Sequence, residues 1–168
     1  MQPGRTPNWN VVAEIEISAW LEAVQLASGD RLLLPVALRN RVSWCATDAN
    51  LPLLATIEPD GEVTVRPLSA QQNSLKAIKA ALQRAEPAKR ASLTLAAMAT
   101  YCRISLQPDG RLRLSPNLAL HLCSVPGDHV WVGAYDDIIT LWSGKAWAEL
   151  LERSTGVLRQ AMRESRHS

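Results

Sequence analysis

Polar and apolar residues alternate along Arg111-Leu112-Arg113-Leu114, the period of a half-buried strand. Gln107-Pro108-Asp109-Gly110 precedes it, and Asp-Gly supplies the positive-φ positions of a hairpin turn. Ser115-Pro116 then stops the strand and fits a helix entry, with Ser as N-cap and Pro at the first helical position. Gly29-Asp30-Arg31-Leu32-Leu33-Leu34-Pro35-Val36-Ala37-Leu38 follows the same grammar. Two copies of one unit therefore organise the chain.

Residues 1–10, with two Pro and a Gly, read as a loosely held arm. Val11, Ala13, Ile15 and Ile17 on one face, with Glu14 and Glu16 on the other, predict a strand over 11–17. Ile17, Trp20, Leu21 and Val24 at helical spacing predict a short helix, capped by Ser18 and ended by Gly29. After the strand at 31–34, Pro35 opens a short helix to Val42 with Leu38 and Val42 stacked and Arg39 and Arg41 projecting away. A loop over 43–52 leads to strands at 53–57 and 62–66, joined by Glu58-Pro59-Asp60-Gly61. Leu75, Ile78 and Leu82 mark a helix that Pro87 interrupts; a second helix to Thr100 turns Ala91, Leu95 and Met98 inward. The second unit has strands at 102–107 and 111–114 and a helix at 116–122. A turn at Pro126-Gly127-Asp128 and strands at 130–132 and 138–141 follow. A last helix from Ser143 or Gly144 carries Trp147, Leu150, Leu151 and Leu158 on one face, with an interruption at Gly156 and fraying after Arg163.

Such four-stranded units are too small to close a core alone, so two copies in 168 residues are expected to interlock. Apolar residues at 47% against 20% charged exclude general disorder. Three cysteines with no CxxC pair argue for a reducing cytoplasm and against a zinc ribbon. No apolar run is long enough to span a bilayer, and residues 1–9 lack the apolar core of a signal peptide. The net charge of +2 is unevenly spread. Residues 1–65 hold four bases and eight acids (−4), residues 66–113 nine and two (+7), and residues 114–168 five and six (−1). The basic middle reads either as the footprint of an anionic partner or as solvated helix faces.

The order Gly-Arg-Leu-x-Leu, Pro, short helix and two strands resembles the AbrB/SpoVT/MraZ swapped-hairpin family. Asp109 to Pro116 is similar to its signature turn and strand. Val130-Trp131-Val132-Gly133, Ile139-Thr140-Leu141-Trp142 and Ala146-Trp147 resemble the end of a MraZ C-terminal repeat. The resemblance covers roughly residues 29–68 and 102–152. Two departures stand out: Ala27 and Gln107 occupy places where MraZ repeats carry Asp, and the helix at 118–122 lacks arginine.

The resemblance implies an α+β fold of tandem swapped-hairpin β-barrel repeats with a helical connector and a C-terminal helix. Residues 1–28 would form the N-terminal part, 29–68 the first repeat, 69–101 the connector and 102–168 the second repeat with its helix. It further implies a transcriptional regulator that binds double-stranded DNA as a homo-oligomer in the cytoplasm, at the nucleoid. Carried over residue by residue, the DNA-contacting candidates are Arg31, Arg39 and Arg111. Position alone adds Arg41 and Arg113, because guanidinium forks suit phosphates and guanine edges. The arginines at 31, 39 and 41 predict that the first repeat makes most direct contacts. The alternative for Arg31 and Arg111 is that they brace the turns. The alternative for the chain is a protein-interaction module, antitoxin- or adaptor-like, with degenerate repeats.

Trp131, Trp142 and Trp147 suit a core or subunit interface, whereas Trp44 is the stacking candidate for a base. No cofactor, metal site or enzymatic activity is expected. His121, His129 and His167 show no metal-ligand spacing, and His121 and Cys123, two apart on a helix, point in different directions. Asp136-Asp137 reads as a solvated turn.

Overall fold

A computed structural model describes residues 11–123 and 127–167. The predicted arm over 1–10 and Pro126 of the predicted turn lie outside them. Eight strands form one antiparallel sheet: β1 (Ala19–Gln25), β2 (Arg31–Leu33), β3 (Leu51–Ile57), β4 (Val63–Pro67), β5 (Tyr101–Leu106), β6 (Arg111–Arg113), β7 (His129–Tyr135) and β8 (Ile138–Ser143). Five α-helices accompany them: α1 (Val36–Arg39), α2 (Gln72–Arg84), α3 (Pro87–Thr100), α4 (Pro116–Leu122) and α5 (Gly144–Arg166). The strand order is β1-β7-β8-β4-β3-β5-β6-β2, and the end strands β1 and β2 meet through the Ala27–Arg31 bridge. The sheet therefore curls into a nearly closed α+β barrel.

Pairing relates the two halves by an approximate two-fold. Strand β1 pairs with β7 as β5 pairs with β3, while β2 pairs with its counterpart β6 and β4 with β8. The axis passes by Leu32↔Leu112 and Thr64↔Thr140, the centres of the two like-with-like pairs. Leucines eighty residues apart, Leu32 and Leu112, then Leu38 and Leu118, are all fully buried. Val63 and Val65 face Leu141 and Ile139 in the same core. Neither half encloses this core, since each supplies strands that only the other pairs; burial of its leucines at roughly 2 kcal/mol apiece rewards the interlocked state alone.

Turn chemistry sets the registers. Gly110 stands at φ +89°, and Asp136 and Asp137 at +51° and +60° make a two-residue turn that pairs Tyr135 with Ile138. Ser115 and Ser143 cap α4 and α5 by accepting hydrogen bonds from the amides of Leu118 and Ala146.

Several predicted elements differ. Residues Val11–Ile15 form a 3₁₀ turn, not a strand, closed by Ile17 N–H donating to Val12. The stretch predicted as a helix from the Ser18 cap to Gly29 holds β1 (Ala19–Gln25) instead. Seven pairs to β7 outweigh a spacing that apolar residues on both faces left ambiguous; Leu21 is 42% exposed on the outer face. A 3₁₀ turn, Ser43–Cys45, sits inside the predicted loop. In α3, Leu93, Ala96 and Ala97 line an open cavity between the helix and the barrel, with Leu93 itself 45% exposed, whereas Ala91, Leu95 and Met98 are exposed outside it and not inward. Helix α5 runs through Gly156 and on to Arg166 without a break, because Gly inside a helix costs only about 1 kcal/mol.

Candidate nucleic-acid interface

Strands β2 and β6 form a short ribbon on the barrel. Leu32 and Leu112 point into the core, so the residues beside them point out: Arg31 opposite Arg113, and Leu33 opposite Arg111. Two hydrogen bonds pin the ribbon ends, Leu34 N–H to Gly110 C=O and Leu114 N–H to Asp30 C=O, each 2.9 Å. All three ribbon arginines are exposed. The outward face continues onto β5, where Ser105 lies beside Arg113 and Arg103 follows two residues along the strand. The alternation of Arg103, Ser105 and Gln107 with Ile104 and Leu106 puts Arg103 on this face, but the sequence reading did not count it as a contact residue.

The five predicted arginines separate into three situations. The guanidiniums of Arg31 and Arg113 have no hydrogen-bond or ion-pair partner among the described residues. Arg111 holds Asp109 at 2.7 Å, and both side chains are about half exposed. The Arg111 backbone N–H, then its guanidinium, hold the Asp109 carboxyl below its ordinary value, with a smaller contribution from Arg31. Arg39 and Arg41, by contrast, are half-buried braces. Arg39 Nε donates to Leu34 C=O at 3.1 Å, and its guanidinium lies where a side chain on Gly110 would stand. Arg41 donates to Ala37 C=O at 2.6 Å and stacks 4.7 Å over the Trp20 ring, whose N–H goes to Glu22.

The structure thus gathers Arg31, Arg111 and Arg113 on one face and sets Arg39 against the Gly110 turn and Arg41 against Trp20 of β1.

Trp44 donates its ring N–H to Asp137 C=O at 2.7 Å and is half-buried against the core. Asp137 is more than a solvated turn residue. Its carboxylate accepts from the Ser43 hydroxyl and amide, which hold its pKa below the ordinary value. Trp147 stacks on Trp131 at 5.1 Å and meets Trp142 edge-on at 6.4 Å, anchoring α5 to β7 and β8. Among the described residues no group of three His, Cys, Asp or Glu could hold a metal ion, and no helix is long and apolar enough to cross a membrane. No protein-family model matches the chain, and no curated protein matches it.

Proposed function

We propose that this chain is a non-enzymatic, DNA-binding transcriptional regulator of the swapped-hairpin class, acting as a homo-oligomer in the cytoplasm at the nucleoid. The exchange of pairing partners between halves supports the swapped-hairpin arrangement, in which the first hairpin of each repeat completes the sheet of the other. One observation carries the function. Arg31 and Arg113 stand directly opposite each other on an exposed sheet face, with Arg111 beside them, and among the described residues neither guanidinium of the pair is held in an ion pair. Like charges directly opposite in an antiparallel pair destabilise the sheet, so this placement gains from a polyanion that lies across both. The guanidiniums on this outward sheet face suit phosphates and guanine edges.

In this reading Arg31 and Arg113 make the leading contacts and Arg111 a weaker one through its Asp109 pair, so both repeats contribute. Arg39 backs the Gly110 turn, and Arg41 packs on Trp20 of β1. The test is fluorescence anisotropy with a random duplex across a salt series. Wild-type affinity falls steeply with salt, and Arg31→Ala with Arg113→Ala lowers the slope of log K against log salt by about 2. A flat salt response, or an unchanged slope in the double variant, refutes the reading.

A protein-interaction module is the second reading, favoured by a groove of about 730 Å³ lined by Trp20, Val24, Leu33 and Val36. Leu33 and Val36 are 48% and 61% exposed there.

A further inference from the structure

Helices α2 and α3 roof a cavity of about 650 Å³ over the outer face of β3, β4 and β5. Small-molecule sites measure roughly 300–1,000 Å³, so the space is of that order. Ile78, Leu82, Leu93 and Ala97 supply the roof, and Leu54 and Arg66, paired across β3 and β4, lie in the floor.

The approximate two-fold gives this place a counterpart in the other half. Thr64 and Thr140 pair at the axis, and two residues on from each come Arg66 and Trp142. Their partners on the next strand are Leu54 and Trp131. Five residues after Arg66, Gln71 lines the cavity; five residues after Trp142, Trp147 stacks on Trp131 at 5.1 Å. One half therefore fills this position with three tryptophans, and the other sets Leu54, Arg66 and Gln71 around a space.

We infer that this cavity binds a small aromatic acid. Its ring takes the place over Leu54 that the Trp147 ring takes over Trp131, and its carboxylate meets Arg66. Charge complementarity selects an acid over a neutral or cationic ring. The Arg66 guanidinium has no hydrogen-bond or ion-pair partner among the described residues. Neither has that of Arg103, which flanks Leu54 from β5. Glu58 is the acid in the lining, and its carboxylate already accepts from the Thr64 hydroxyl at 3.2 Å. It lies four residues past Leu54, about 13 Å along the chain, with Asp60 and Glu62 beyond it. The cavity is therefore positive at the Leu54 end and negative at the other, which orients the acid with its carboxylate away from Glu58.

The site is separate from the arginines of β2 and β6 and does not depend on DNA binding. The experiment is isothermal titration calorimetry of the full chain with indole-3-propionate, the neutral indole-3-propanol and the cationic tryptamine, with a thermal melt of each variant. Wild type binds the acid about tenfold more tightly than the alcohol, and tryptamine more weakly still. Arg66→Met, at an exposed position, keeps the wild-type melt and the affinity for the alcohol but loses the preference for the acid. Gln71→Trp supplies the ring that the other half has at this step, so it raises the melting temperature and excludes all three probes. No binding of the acid at millimolar concentration, an acid bound no better than the alcohol or tryptamine, a preference that survives Arg66→Met, or undiminished binding in Gln71→Trp overturns the inference.

Discussion

Gly110 and Arg39 are coupled in a way that a substitution cycle measures. Gly110 stands at φ +89°, and a Cβ there would lie 2.5 Å from Arg39 Cζ and 2.7 Å from its Nε. Gly110→Ala therefore has two costs. The left-handed backbone costs an L-residue roughly 1–2 kcal/mol. The guanidinium, as the far end of a flexible side chain, swings out and gives up its 3.1 Å bond to Leu34 C=O, about 1 kcal/mol for a half-buried pair. Together these come to roughly 2–3 kcal/mol, or about 5–10 °C in Tm for a chain of this size. Arg39→Ala alone costs about 1 kcal/mol. With Arg39 already removed, Gly110→Ala costs only its backbone share, so the double variant is more stable than the sum of the singles by about 1 kcal/mol. Urea denaturation followed by tryptophan fluorescence reads all four corners. Additivity within about 0.5 kcal/mol refutes the packing of Arg39 on the turn, and with it the assignment of Arg39 as a brace.

Two further outcomes follow from the titratable groups. Asp137 has its folded pKa lowered below the ordinary 3.8 by Ser43, so its stabilisation is present above that value and is lost as pH falls through the lowered one. Asp137→Asn keeps the positive φ but removes the charge, so it melts below wild type at neutral pH; a gap that fails to close in acid refutes the clamp. Cys45 is buried, and desolvation pushes its thiol up to about 12 from 9.0, a thiolate fraction lower by about a thousandfold. A disulfide reagent at mildly alkaline pH should leave Cys45 unmodified until the chain unfolds, and labelling at the rate of a free thiol contradicts its burial.

From Arg31 onward most elements were legible, because turn residues and caps act locally. Gly110 at positive φ, though not Asp109 before it, Ser115-Pro116 and the serine before α5 each match the conformation their residue types favour locally. The stretch at 11–25 was not legible for the opposite reason. Its apolar residues fit two periods, and β1 exists because β7 offers it seven partners more than a hundred residues away. The surroundings of the arginines were equally hidden, since the sequence places Arg39 and Arg41 on a short helix without showing that Gly110 and Trp20 lie beneath them.

By itself the sequence determined the repeated unit: its turns, its caps, and the leucines that recur eighty residues apart. Only the tertiary structure decided what that repetition builds. Pairing across the approximate two-fold set Arg31 opposite Arg113, two residues that local grammar assigns to separate copies. A face made of two segments has no signature in either, because register and partner choice are settled by burying Leu32 and Leu112 together.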